Sequence, residues 1–176
     1  MFVICSLCVL WSLGRPILFK QRRIGINSVP FTIFKFRTML DEDDNAGRLR
    51  TNAERLTLVG KAFRKTSLDE LPGLFNVIKG DMSLIGPRPL LVEYLGRFSE
   101  RQAIRHSIRP GMTGLAQVSG RNHLGWKEKL ELDIQYVEKR GILLDTYILG
   151  KTLITLVLGS GVDVTGEREM PNFRSE

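Results

Sequence analysis

Two adjacent carboxylates, Asp69 and Glu70, stand at the centre of RKTSLDELPGLFNVIKGDMSLIGPRP, residues 64–89. Arg64 and Lys65 precede them, and Arg88 is set between Pro87 and Pro89. Two kinds of chemistry suit such a pair. One is local: Ser67-x-x-Glu70 has the spacing of a capping box, and Asp69 itself could cap a helix with Pro72 in its first turn. The other concerns a ligand. Arg64, Arg88, Arg109 and Arg121 lie in stretches rich in Pro and Gly. Arginines held in rigid loops suit fixed anions, above all phosphate oxygens. Carboxylates among them serve a divalent metal or the reaction itself. Magnesium prefers one or two carboxylates plus substrate phosphates to a full protein cage, so Mg2+ is the cofactor this reading expects.

A third acid is also out of place. At about 100° per residue, Trp126, Leu130, Asp133 and Val137 fall on one helical stripe, with the acid in its middle. A carboxylate on an apolar face needs a cation or a metal. The stripe leaves two readings open: a structural salt bridge to one of the many arginines, or a place beside a phosphate or metal site. His106 and His123 have no evident triad partners and read as structural or surface residues. No Walker sequence and no G-x-G-x-x-G is present, so an ordinary nucleotide-binding fold is not indicated.

The elements that must position these groups form one domain. The chain has 176 residues, 26 Lys plus Arg against 19 Asp plus Glu, and a net charge of +7. That length supports a single core, and that charge favours anionic partners. Cys5 and Cys8 are the 2 cysteines; they lie in an apolar run with no second pair, which excludes a disulfide framework and fits small residues in a greasy helix. The first 13 residues, MFVICSLCVLWSL, carry no charge. They are shorter than the roughly 20 residues a membrane span needs. Arg15, Lys20, Arg22 and Arg23 follow, the pattern of a greasy plug with a basic collar at a membrane face.

Further along, ILFKQ and FTIFKFRTM flank a turn rich in Gly, Asn, Ser and Pro and predict a β-hairpin. LDEDDNAGRLRTNAERL reads as a polar surface loop with a short helix. LVGKAFRKTSLDELPGLFNVIKG reads as two short helices meeting near Ser67. LLVEYLGRFSERQAIRHSI predicts a helix, and RPGMTGLAQVSGRN a glycine-punctuated loop or short strand. GWKEKLELDIQYVEKRG predicts a helix stopping at Gly141, followed by the apolar helix ILLDTYILGKTLITLVLG. The fold expected is α+β: a helix-rich single domain with a small β-hairpin.

KFRTM, SLDELPGLFNVIKGDMSLIGPRP, RPGMTGLAQVSGRN and ELDIQYV, in this order, resemble the bacterial sugar transferases, the monotopic phosphoglycosyl transferases. The resemblance implies transfer of a sugar phosphate from a nucleotide-diphosphate sugar, with uridine the usual base, to a polyprenol phosphate such as undecaprenyl phosphate. UMP leaves, and the product begins polysaccharide or glycoconjugate assembly at the inner leaflet of the bacterial cytoplasmic membrane. It places a catalytic acidic dyad on Asp69 and Glu70, with Asp69 as nucleophile. It matches basic residues at Lys35, Arg64 and Arg88, and a family acid at Asp133. With the reading above, the expected phosphate-binding set is Lys35, Arg64, Arg88, Arg109 and Arg121, and the expected metal ligands are Asp69 and Asp133. The resemblance further implies membrane association through an N-terminal re-entrant helix. This chain carries only the second half of that element, so residues 1–14 are expected to be its remnant and residues 15–176 a cytoplasmic catalytic domain.

Two other functions bear weighing. A basic nucleic-acid-binding module needs a basic recognition helix or interleaved aromatics. The arginines here sit among Pro and Gly instead. An inactive paralogue acting as a scaffold would have the same fold, but the intact dyad disfavours it.

Overall fold

The computed structural model describes residues 1–43, 48–120, 124–158 and 173. Its organising element is an antiparallel hairpin. Strand β1 (Leu18–Ile24) pairs with β2 (Pro30–Phe36), from Leu18 opposite Phe36 to Ile24 opposite Pro30. The connecting turn carries Asn27 and Ser28 at φ 52° and 63°, the left-handed region that reverses a tight chain. Successive side chains of β2 leave on opposite faces. Phe36 therefore enters the core while Lys35 faces a cleft.

Helix α1 (Phe2–Leu13) places Cys5 and Val9 against Phe36 and against Phe63 of α3 (Leu58–Thr66). Both cysteines are free. The Phe2 ring packs at 5.0 Å from Phe36 and edge-on at 5.2 Å from Phe75. The opposite side of α1 is bare: Val3, Ile4, Leu7 and Trp11 are exposed, the tryptophan at 87 %. No helix among the described residues is long and apolar enough to cross a membrane.

The polar stretch before α3 holds one short helix, α2 (Asn52–Arg55), started by a capping box from Thr51 and Glu54. Helix α4 (Gly73–Lys79) follows the acidic pair and stops at Gly80, φ 86°. Buried Asn76 ties this helix to the hairpin: its Oδ1 accepts from the Phe34 amide at 3.1 Å, and its Nδ2 donates to the Thr32 carbonyl at 2.7 Å.

Strands β3 (Ser83–Ile85) and β4 (Gly111–Thr113) form a parallel pair, so SLIGPRP lies alongside RPGMTG. Their backbones approach so closely that a Cβ on Gly111 would strike the Gly86 nitrogen, and one on Gly114 the Gly86 oxygen.

The stretch predicted as one helix after Pro89 breaks into pieces. A 3-10 turn over Val92–Arg97 is followed by extended Phe98, then α5 (Glu100–Ala103) and a second 3-10 turn over Ile104–His106. Ser99 and Gln102 form a capping box that starts a new helix inside the apolar period. Tyr94 is drawn into a second core with Leu130 and Phe173, where Trp126 meets Tyr94 edge-on at 5.7 Å. Helix α6 (Leu115–Ser119) leads toward α7 (Trp126–Lys139), and α8 (Ile142–Leu158) follows. Only Ile148 of α8 is buried, and Thr152 bonds Thr113 at 2.7 Å. Ile142, Leu143, Ile154 and Val157 remain exposed. The domain is thus mixed and helix-rich with small sheets, as the sequence predicts.

Candidate active site

The acidic pair sits on a tight bend. Thr57 caps α3, its Oγ1 accepting from the Gly60 amide at 3.0 Å. The helix ends at Ser67, a non-glycine residue at φ 55° and ψ 20°. A 3-10 turn over Leu68–Glu70 follows. Leu68 and Leu71 are three apart and share a side in such a turn. Both pack on the core of Phe36 and Phe63, which leaves Asp69 and Glu70 to the cleft.

The capping-box expectation is therefore corrected. Ser67 closes α3 in left-handed geometry and makes no side-chain cap, and neither Asp69 nor Ser67 caps α4, whose first flanking residue is Pro72. The Glu70 carboxylate goes elsewhere. Its Oε1 accepts from Lys35 Nζ at 2.6 Å, and Arg88 Nη2 stands 3.8 Å from the same oxygen.

Asp69 is different. It has no ion pair within 4 Å among the described residues. Burial pushes its carboxyl above the usual carboxylate range; Lys35 pulls it down, Glu70 pushes it up, and Arg64 pulls it down again. Arg64, in the last turn of α3, is steadied by Thr38, whose Oγ1 accepts from its Nε at 3.2 Å. Lys35, Arg64, Asp69, Glu70, Arg88 and Asp133 all line one open cleft of about 1580 Å³. Its apolar wall includes Leu74, Leu149 and Leu156. The lining thus combines cationic, acidic and apolar side chains.

Asp133 has a structural partner. Its Oδ2 accepts from Arg105 Nη2 at 2.7 Å and from Arg105 Nε at 3.0 Å, with both side chains almost wholly buried. Burial pushes its carboxyl up against the pull of Arg105. Asp133 thus makes the salt bridge that is one of the two readings of its stripe, while its Oδ1 has no hydrogen-bond partner among the described residues. Arg109 is also placed away from the dyad: its Nε donates to the Gly80 carbonyl at 2.8 Å, and it does not line the cleft. Arg121 and His123 lie outside the described residues. His106 is buried and structural, its ring pushed down to about 4 by burial and by Arg105.

Sequence reasoning missed two arginines beside the cleft. Arg23, assigned to a surface collar, turns inward; its Nη1 donates to the Pro89 carbonyl at 3.3 Å, and burial lowers it to about 10. Arg105 lies in the stretch read as one helix, with nothing local to mark its charge as buried. The signal that was available was Asp133, which requires a buried cation.

A family model described as bacterial sugar transferase matches residues 1–159. The chain belongs to the bacterial sugar transferase family and is by that membership an enzyme of the transferase class. It is 49% identical over 160 residues to the uncharacterized sugar transferase EpsL of Bacillus subtilis, covering 89% of this chain and 79% of that protein. It is 35% identical over 178 residues to the exopolysaccharide production protein ExoY of Rhizobium meliloti, covering 92% of this chain and 79% of the relative. With the UDP-glucose:undecaprenyl-phosphate glucose-1-phosphate transferase of Klebsiella pneumoniae it shares 39% identity over 148 residues, 78% of this chain but 32% of that longer protein.

Proposed function

We propose that this chain transfers a sugar 1-phosphate from a UDP-sugar to undecaprenyl phosphate, releasing UMP and leaving an undecaprenyl-diphosphate sugar. The observation that carries this reading is the asymmetry of the dyad: Glu70 is engaged by Lys35 and Arg88, while Asp69 presents to the cleft a carboxylate with no ion pair among the described residues. The names of relatives that act on undecaprenyl phosphate, one of them with UDP-glucose, support the choice of substrates.

A carboxylate is a competent nucleophile on phosphorus and, once ionised, needs no base. Its obstacle is repulsion from a diphosphate, which Lys35, Arg64 and Arg88 offset. An Asp69 oxygen bonds to the sugar-bearing phosphorus as the bond from that phosphorus to the bridging oxygen breaks. UMP leaves with the electron pair. An oxygen of undecaprenyl phosphate then attacks the same phosphorus, and Asp69 departs as a carboxylate. Glu70 accepts the proton that a monoprotonated acceptor phosphate brings.

Magnesium fits this site. Among the described residues no three carboxylate, histidine or cysteine groups gather in a metal cage. An uncommitted Asp69 plus substrate phosphates is the sparse set magnesium takes. Bound there, the ion would screen phosphate charge.

The exposed apolar sides of α1 and α8, with Arg15, Lys20 and Arg22 nearby in sequence, support a catalytic domain resting on the cytoplasmic face of the bacterial inner membrane. In this reading residues 1–14 anchor the catalytic domain that follows.

The test is mass spectrometry of protein quenched after exposure to a nucleotide sugar alone. A sugar-phosphate adduct on the peptide containing Asp69, ping-pong kinetics and UMP release are expected. Asp69→Asn should abolish all three. Full activity in that variant, or sequential kinetics without an adduct, would sink the reading. An inactive scaffold would give neither adduct nor UMP.

A further inference from the structure

The segment Pro87-Arg88-Pro89 is hard to hold in place. Proline has no amide hydrogen, so the three residues offer a single backbone donor. Their carbonyls remain, and each has a partner. Pro87 O accepts from the Gly111 amide at 2.9 Å, Arg88 O from Arg105 Nη2 at 2.6 Å, and Pro89 O from Arg23 Nη1 at 3.3 Å. Leu90 O then accepts from the Ile24 amide at 2.9 Å. Arg88 alone keeps an open side chain, 52% exposed and 3.8 Å from Glu70.

Arg105 is the junction of this arrangement. Its side chain is 1% exposed. Nε and Nη2 both donate to Asp133 Oδ2, Nη2 also reaches Arg88 O, and Nη1 lies 3.2 Å from His106 Nε2. Arginine has no acceptor, so His106 Nε2 must be the unprotonated ring nitrogen. Nδ1 then carries the hydrogen and faces Ser28 Oγ at 3.4 Å, in the hairpin turn. One buried guanidinium thus joins α7, the hairpin turn and the backbone of Arg88. A lysine could balance Asp133 but could not span these directions, because its donors radiate from one point.

We propose that Arg105 is a positioning residue that fixes the Arg88 backbone and so sets where the Arg88 guanidinium meets substrate phosphate and Glu70. The proposal rests on the phosphate-transfer reading above for its kinetic arm alone. Arg105 acts through Arg88, so its effect must vanish when Arg88 has no guanidinium to aim.

The experiment is a double-mutant cycle on the purified full chain in detergent, assayed for UMP release with undecaprenyl phosphate. Arg105→Lys should lower kcat/KM about tenfold in the wild-type background and less than about twofold in Arg88→Ala. Equal losses in both backgrounds, or no loss, would overturn the proposal in favour of a purely structural salt bridge. Amide hydrogen exchange gives a readout independent of turnover. Arg105→Lys should speed exchange in a peptide spanning residues 84–92 and leave β1 and β2 unchanged. Unchanged exchange in residues 84–92 would refute the clamp. If Arg88→Ala shows no measurable turnover, hydrogen exchange decides. Should the wild type release no nucleotide from any sugar donor, the transfer reading fails and the exchange result still judges the clamp. If Arg105→Lys does not fold, Arg105→Met/Asp133→Leu removes the buried pair together, a replacement that cores tolerate. It is then read by the same exchange measurement.

Discussion

Lys35 Nζ stands 2.6 Å from Glu70 Oε1, while Asp69, the neighbour of that glutamate, has no cation within 4 Å among the described residues. A single lysine thus serves two acids in different ways. It pairs with Glu70 directly and lowers Asp69 through space, against the burial that raises it. Lys35→Met should therefore push Asp69 further up. The acidic limb of the pH profile of kcat/KM should move to higher pH, with a loss of about tenfold or more at neutral pH. A profile superimposable on the wild type would show that Lys35 does not tune the dyad.

The raised Asp69 carboxyl also bears on stability. Between its unfolded and its higher folded value, the native chain holds a proton that the unfolded chain has released. Stability consequently falls as pH rises through that window and stays reduced at neutral pH. Asn cannot ionise and escapes this cost. Asp69→Asn should melt higher at pH 7 than the wild type. The advantage should disappear below the ordinary aspartate value of about 3.9, where both states of the wild type are protonated. Thermal unfolding across pH 3–8 tests this; a lower melting point for Asp69→Asn at pH 7 would contradict it.

His106 gives the opposite sign. Its ring is held down at about 4 by burial first and Arg105 second. The unfolded chain binds a proton near 6.5 that the folded chain refuses. The stability it contributes is present above 6.5 and is lost as pH falls toward about 4, up to roughly 3 kcal/mol at 1.36 kcal/mol per pKa unit. His106→Gln should flatten the stability curve over that window while keeping an acceptor for Arg105. Denaturant titrations at pH 4.5 and 7 measure the difference, and an unchanged slope would place the acid sensitivity elsewhere.

What was readable from sequence depended on the range of the interaction. The hairpin, the helices around Ser67 and the arginines in Pro- and Gly-rich stretches have short, periodic or punctuated signals, whereas Lys35 is placed with the dyad by the family resemblance alone. Ser67-x-x-Glu70 misled because its spacing is that of a helix start. The burial of Leu68 and Leu71 instead draws the chain into a bend, and Ser67 takes left-handed geometry. The segment after Leu91 misled because its apolar period runs through a capping box at Ser99 that restarts the helix. Arg105 was invisible because its partner Asp133 is 28 residues away. A local pattern cannot tell which of many arginines turns inward. The direction of Arg23 was lost for the same reason, since it bonds a carbonyl 66 residues away.

Arg88 offers the sharpest remaining test of the site. Its backbone is confined by two prolines and by the carbonyl contacts described above, so binding costs it little main-chain freedom. Its guanidinium stands 3.8 Å from Glu70, a distance at which the pair is loose and the fork can turn to a ligand. A planar guanidinium can hold two phosphate oxygens at once. A lysine ammonium keeps the charge but loses that geometry and is more strongly hydrated. Arg88→Lys should consequently lower kcat/KM by an order of magnitude or more. If the guanidinium grips the transferring phosphoryl group mainly as charge develops on it, the loss falls on kcat; if it binds the ground state equally, KM rises instead. Because the side chain is half exposed, the melting temperature should barely move. Steady-state kinetics with varied UDP-sugar at saturating undecaprenyl phosphate separates the two outcomes. Wild-type kinetics in Arg88→Lys would show that Arg88 makes no bidentate grip on phosphate.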